Sequence, residues 1–379
     1  MFRMRSSDDS GGEWLEVGSS EELSAVEAFW RRGTARVDNP FATYDWNRAC
    51  LRHLGGADAA PAVLAWGRGG SLRCLFPFVR RRDRLDFLGA EICDFQDLVA
   101  CSMAEAREGV EALLPRLAES GERLALSKVA DRSRLHALLP EIERDPAFVL
   151  ERCLVGPCPW LPIPGGDLEQ VTAAFGKATR KGARRRLRAL DAAIRPRLEV
   201  VEGYDAGFLE VASGLHLARW GDGKGESLFR RGGFDGFLRE VGSSPEVGLL
   251  GFGLRAPDGR LVGFELGFER LGRYHSWMGA YDAAFAEFSP GICLQLLAMA
   301  ELGRRGIGAY DFLCGGELYK FRFASEEYAV HSVALAPRSL ATLAGAGMRR
   351  LERRLRPGVK RCLHSVGFYR TGYRIDDLV

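Results

Sequence analysis

The apolar positions change period several times along the chain, and each change predicts an element. Residues 19–31 and 43–54 carry apolar side chains at helical spacing, the second with Trp46, Ala49, Cys50 and Leu54 on one side. Residues 62–66, 72–79, 85–88 and 98–101 are short apolar runs between Gly- and Arg-rich turns, the pattern of strands. A helical stretch over 104–119 and a strand over 123–129 complete a mixed unit, and a further strand is predicted over 148–155. Residues 156–166, Gly-Pro-Cys-Pro-Trp-Leu-Pro-Ile-Pro-Gly-Gly, hold four prolines and three glycines. That composition predicts a crossover loop and a domain boundary.

Beyond it the pattern predicts one helix over 167–193 with Asp167 as N-cap, a strand over 198–201, and helices over 205–220 and 234–241. Three strands follow closely, 247–254, 261–268 and 274–281, the first two joined by Pro257-Asp258-Gly259. Ser289-Pro290-Gly291 opens a helix over 292–305. A strand over 309–313, a short helical turn within 315–323 and a closing strand over 328–335 lead to a basic amphipathic helix over 340–355. The expected architecture is α/β (α+β): two domains, residues 1–155 and 167–336, each a mixed, mostly antiparallel sheet flanked by helices, with a basic tail over 337–379.

Composition narrows the class. The 379 residues are 46% hydrophobic and 27% charged, which excludes a disordered or collagen-like chain. Fifty-three Lys+Arg against 50 Asp+Glu leave a net charge of +3, which argues against a DNA-coating role. No run reaches the roughly 18 apolar residues of a spanning helix, and the first residues are polar. With nine cysteines, an odd number mostly inside apolar runs, the expectation is a reduced, cytoplasmic protein. Neither HExxH nor paired CxxC spacing is present, so no metal is expected. GxxxxGK[ST] and GxSxG are absent too. Gly251-Phe252-Gly253-Leu254-Arg255-Ala256 matches a dinucleotide fingerprint only in letters, because it lies in a strand that ends in a hairpin.

Ser289-Pro290-Gly291 is more informative. Proline there sets φ without losing a hydrogen bond, and glycine lets a ligand approach the backbone. The amides of Gly291, Ile292 and Cys293 would then face an anion with the helix dipole behind them. Asp311 sits among apolar residues and needs a partner. Tyr319-Lys320 follows a Gly-Gly turn, and this pair can donate a proton or stabilise negative charge. Glu265 and His275 are polar residues on otherwise apolar strands, and either could serve as a base.

The order of these elements resembles the GNAT acyltransferases. Tyr281-Asp282, Ser289-Pro290-Gly291, Asp311-Phe312-Leu313-x-Gly315 and Tyr319-Lys320 together resemble their cellulose-biosynthesis-associated (CelD-like, BioF2-like) acetyltransferase branch, which is related to the Fem aminoacyl transferases. The resemblance covers residues 168–335 well and the first half loosely. Of the usual pyrophosphate loop, [QR]-x-x-G-x-[GA], only the central glycine is kept.

The resemblance implies two tandem GNAT-like domains and acyl transfer, with acetyl-CoA as the first-choice co-substrate. The acceptor would be an amine or hydroxyl of a glycan or other small molecule, in polysaccharide or cell-envelope synthesis. Trp277 and residues 289–293 would hold the co-substrate, strand amides from Trp277 to Gly279 the oxyanion, and Tyr319 would protonate the thiolate. His216, Arg219 and Trp220, before Gly221-Asp222-Gly223-Lys224-Gly225, would face the acceptor together with Tyr281. Residues 177–188 hold seven cations and no acid, with Lys177, Arg180, Arg184 and Arg188 on one helical face and Lys181 and Arg185 beside it. This is either a solvated face or an anion site. In a Fem-like reading the anion is tRNA; a third reading is a non-catalytic subunit of a polysaccharide synthesis complex. The eight Lys/Arg against one acid over residues 338–361 suit peripheral contact with an anionic membrane.

Overall fold

The computed structural model describes residues 11–55, 59–82, 84–220 and 227–339. Strand β1 (Gly12–Val17) is followed by α1 (Glu27–Thr34) and α2 (Tyr44–His53). The α2 start is capped by Thr43, whose hydroxyl accepts from the Trp46 amide. Strands β2 (Ala60–Arg68), β3 (Ser71–Arg81), β4 (Arg84–Phe87) and the two-residue β5 (Val99–Ala100) come next, then α3 (Met103–Ser120), β6 (Arg123–Ala130), α4 (Arg134–Glu143) and β7 (Phe148–Pro162). The second half runs α5 (Leu168–Ala173), α6 (Lys177–Ile194), β8 (Arg197–Glu202), α7 (Ala206–Trp220), α8 (Phe234–Gly242), β9 (Leu249–Arg255), β10 (Leu261–Arg270) and β11 (Arg273–Tyr281). It ends with α9 (Pro290–Arg304), β12 (Ala309–Asp311), α10 (Leu318–Phe323) and β13 (Glu326–Pro337).

All thirteen strands of the described residues join one mixed sheet, in the order β1-β2-β3-β4-β6-β13-β7-β12-β11-β10-β9-β8, with β5 on β3. The pairs β4/β6 and β11/β12 are parallel and the rest antiparallel. Two crossovers matter. Strand β13, last in sequence, lies between β6 and β7, and β7 in turn pairs with β12. The sheet is therefore continuous from the first half of the chain to the second.

The largest corrections to the sequence reading fall around β7. Residues 156–162 are strand rather than crossover loop. Pro157 and Pro159 are tolerated because their carbonyls accept from the Gly315 and Phe312 amides at 3.0 Å, so their missing N–H groups point toward that segment and away from β13. Val155 is left without a partner where the register with β13 shifts. The single helix expected over 167–193 is two, broken at residues 174–176, with Asp167 accepting from the Gln170 amide at 2.7 Å. Strand β1 and helix α4 were not anticipated. The expected C-terminal helix and the loop over 221–225 lie outside the described residues.

One aromatic core spans both halves. Trp46 of α2 meets Phe237 of α8 at 4.9 Å and Phe268 of β10 at 5.3 Å, all edge to face. Trp277 of β11 joins the same cluster, and its indole N–H donates to the Ile92 carbonyl at 2.9 Å. Truncating a buried indole such as Trp46 costs on the order of 3–5 kcal/mol. Packing of this kind fixes β10 and β11, which carry the site, against the first half.

Candidate active site

Strands β11 and β12 pair only over Arg273–His275 and Ala309–Asp311, and then part. From Ser276 onward the edge of β11 that faces away from β10 borders a cleft of about 470 Å³, closed by α7, the start of α9 and the 312–320 segment. A bulge sits at the parting point: Leu266 pairs with Met278 and Gly267 with Ser276, leaving Trp277 unmatched. The cleft thus lies along a strand edge whose backbone groups have no strand to pair with.

Glu265 forms the floor. It is 4% exposed, and its carboxylate accepts from the Tyr310 hydroxyl at 2.6 Å. Burial pushes it up to about 7 from an ordinary 4.5, against the opposing pull of hydrogen bonds from Tyr310, Ser276, Tyr274 and Gln295. A carboxyl that titrates near neutrality at the bottom of a cleft is suited to accept a proton. Across β10 and β11, Glu265 is paired with Gly279, where a side chain would meet the Phe264 carbonyl at 2.8 Å. Close strand contact requires glycine there.

The start of α9 forms a second wall. Ser289 adopts φ 53°, uncommon for a residue with a side chain, and turns the chain into Pro290. Gly291 and Ile292 line the cleft, while the Cys293 amide is taken by the Ser289 carbonyl at 3.2 Å and its side chain is buried in the core. The amide cradle is therefore two residues, not the expected three. Arg219 of α7 lies over the Tyr281 ring at 4.2 Å, in the same cleft. Among the described residues no carboxylate pairs with it, so a cation and a helix N-terminus face the cleft together.

Tyr319 and Lys320 come from α10. Burial raises the phenol to about 12, so Tyr319 is protonated at neutral pH. Lys320 is buried, 3.1 Å from Glu317 and 3.4 Å from the Cys314 carbonyl. His216 also reaches the cleft; it shares a 2.8 Å hydrogen bond with Ser227, and burial with the nearby Arg219 lowers it to about 4, so it is neutral. Trp220 and Tyr281 complete this side.

Other expected site residues stand apart. His275 is fully buried outside the cleft, with Nε2 2.7 Å from the Asp38 carbonyl; burial, then Arg132, lowers it to about 3. A neutral ring in that position donates to Asp38 and cannot reach an acceptor in the cleft. Asp311 is equally buried and is shared by Arg132 and Arg273, each at 3.6 Å. It accepts from the Leu313 amide at 2.9 Å and the Tyr328 hydroxyl at 3.1 Å. Its role is to hold the turn that begins at Leu313, where φ is 57°. Trp277 does line the cleft, but its indole N–H is committed to the Ile92 carbonyl.

The cations of α6 do not line the cleft. Lys177, Lys181 and Arg185 are exposed, Arg180 closes the end of α5 by donating to the Ala173 carbonyl, and Arg184 lies 3.6 Å from Glu169. Ala183 and Leu190 instead bury the other face of this helix. The sequence reading missed Asp94, Ser276 and Gln295. Gln295 lies one turn beyond Gly291, so i,i+4 spacing along α9 could have revealed it. Asp94 comes from the first half of the chain and carried no local signal. Among the described residues, no group of three or more His, Cys, Asp or Glu is placed to hold a metal.

Comparison with known proteins fits this geometry. Residues 177–321 match the family model of the acetyltransferase (GNAT) domain. This segment contains every cleft residue of the second half named above. No curated protein matches the chain. Among solved structures, the fold is similar to a domain named as the C-terminal part of a lysylphosphatidylglycerol synthetase from Agrobacterium fabrum. The TM-score is 0.57 at 15% identity, over 89% of this chain and 97% of that one. FemX is similar with TM-score 0.55 at 12% identity, over 86% and 97%, and L-PGS from Bacillus licheniformis with 0.54 at 13%, over 86% and 95%. At these identities the likeness is one of fold. No helix of the described residues is long and apolar enough to cross a membrane.

Proposed function

We propose that the chain transfers an acyl group, acetyl by preference, from acyl-CoA to an amine or hydroxyl acceptor. The observation that carries this reading is Glu265, a carboxyl titrating at about 7, set beside an unpaired strand edge and facing a cationic helix start. Glu265 removes the acceptor proton, directly or through a water, as the acceptor attacks the thioester carbonyl. Amides of β11 between Trp277 and Gly279 stabilise the oxyanion. Tyr319, held protonated, returns a proton to the leaving thiolate. A thiol with a pKa near ~8.5 is already a fair leaving group, so positioning contributes more than acid strength. Phosphates of the co-substrate are assigned to the Gly291 and Ile292 amides and Arg219, beside the Tyr281 ring on which Arg219 lies.

The acceptor is proposed to be a glycan or other small molecule in envelope or polysaccharide synthesis, reached from the side of His216 and Trp220. The exposed cations of α6 favour a second reading, an aminoacyl transferase that takes its group from charged tRNA. A thermal-shift screen with CoA, acetyl-CoA and charged tRNA separates the two, followed by CoA release with a panel of amines and sugars. Stabilisation by acetyl-CoA and acceptor-dependent thiol release support acyl-CoA transfer. Salt-sensitive binding of tRNA alone rejects it.

A further inference from the structure

Of the described cysteines, two meet at the cleft wall. Cys314 lines the cleft and is half-buried, while Cys158 lies beneath it in β7 at 0% exposure. The backbone brings them together: the Gly315 amide donates to the Pro157 carbonyl and the Phe312 amide to the Pro159 carbonyl, both at 3.0 Å. The Cys314 sulfur packs so closely on β7 that a Cβ built on Gly156 would lie 3.3 Å from it. The two thiols interact, Cys158 buried in β7 and Cys314 facing the cleft.

The surroundings divide the roles. Cys158 lowers the Cys314 thiol against the opposing effects of burial and Asp94, and Lys128 and Lys320 add smaller pulls toward thiolate. The Cys314 sulfur, then burial, push the Cys158 thiol up, with a smaller push from Asp311. Cys101, by contrast, is exposed with no cysteine partner.

We propose that Cys314 and Cys158 are an oxidant-sensitive pair that closes to a disulfide in the wall of the cleft. The oxidant class is a peroxide. The Cys314 sulfur attacks one peroxide oxygen, the O–O bond breaks, and a sulfenic acid and water result. The Cys158 sulfur then displaces that hydroxyl as a second water, its proton leaving with the oxygen. Two thiols lose two electrons and the peroxide becomes two waters. Closure draws the sulfurs together to a bond of roughly 2.05 Å. Because the Cys314 carbonyl holds Lys320, the shift carries into the cleft and lowers turnover. This last consequence rests on the function proposed above; the disulfide does not.

The test treats the full chain with one equivalent of hydrogen peroxide and maps its peptides without reduction. A 158–314 cross-link that dithiothreitol reverses, and that is absent from Cys158→Ser and Cys314→Ser, is the expected result. In Cys158→Ser, a sulfenic-acid probe labels Cys314, which keeps the assignment open to test without the cross-link. Finding Cys101 oxidised first, or Cys314 unlabelled in that variant, overturns the proposal. Transfer activity is read in parallel: a several-fold loss restored by dithiothreitol in the wild type, and unaffected by peroxide in Cys158→Ser/Cys314→Ser, ties the disulfide to the cleft. A chain that forms the cross-link but transfers no acyl group refutes the function reading and leaves the redox pair standing.

Discussion

Tyr310 of β12 donates a 2.6 Å hydrogen bond to Glu265 of β10, reaching past the intervening β11, and both side chains are buried. That bond opposes the effect of burial, and the balance leaves the carboxyl near neutrality. Removing it shifts the set point: Tyr310→Phe raises the titration of Glu265 and moves the pH–rate profile to higher pH. An unchanged midpoint in a folded Tyr310→Phe protein would show that another group is the base.

Glu265→Gln is expected to lower kcat by roughly 10²–10⁴ while preserving acyl-CoA binding. In the wild type the rate rises with pH through a midpoint near about 7, and in the variant it does not. Stability carries an independent sign. The folded carboxyl titrates above its ordinary 4.5, so its contribution is complete below 4.5 and is lost as pH rises through about 7. Glu265→Gln therefore flattens the stability profile over that window, by an amount on the order of 3 kcal/mol, readable by denaturant unfolding at several pH values.

Tyr319→Phe keeps the ring and removes the proton. Turnover is expected to fall about tenfold or more, with little change in Tm. Because the phenol titrates at about 12, the wild-type rate shows no alkaline decline from this group across roughly pH 7–10. A loss of Tm at constant rate assigns the tyrosine to packing instead.

The anion cradle is tested by Gly291→Asp against Gly291→Ala. A Cβ at residue 291 meets Tyr281 at 3.4 Å, an ordinary contact, so alanine is expected to fold and bind CoA. Aspartate adds a negative charge beside the helix start and weakens binding at least tenfold. Arg219→Ala is expected to raise KM for acyl-CoA by about 10–100-fold, the value of a charge-assisted hydrogen bond, with kcat changing less. Equal CoA affinity in all three variants, by calorimetry, places the phosphates elsewhere.

Asp311→Ala removes the buried acceptor of the Leu313 amide and the Tyr328 hydroxyl while Arg132 and Arg273 keep Asp38, and is expected to cost about 1–3 kcal/mol. Asp311→Asn keeps an acceptor for the Leu313 amide and costs less. Chemical denaturation of the two variants checks the order.

Local chemistry explains what could be read from the chain. Helix α9 was announced by Pro290 and Gly291, and the three strands before it by alternation and a Pro-Asp-Gly turn, because those signals lie within a few residues. Glu265, Tyr319, Arg219 and Tyr281 stood out by type and do meet in one cleft. His275 also stood out, but its partner, Asp38, lies in the other half of the chain, and no local pattern says which face of a strand a polar residue takes when a bulge intervenes. Asp94 was invisible for the same reason. The prolines of β7 misled because a strand can accept them when their missing donors face a neighbour that asks only for carbonyls.

The position of β13 sets an order of events during synthesis. The ladder between β6 and β7 cannot be completed until residues 326–337 have left the ribosome, since β13 is the strand that joins them. Nearly the whole described chain must be made while the first half still exposes two apolar strand edges, a long-range closure that favours slow folding and early association. Nascent chains stalled before residue 326 should therefore recruit chaperones that recognise open strands, and those stalled well beyond residue 337 should release them.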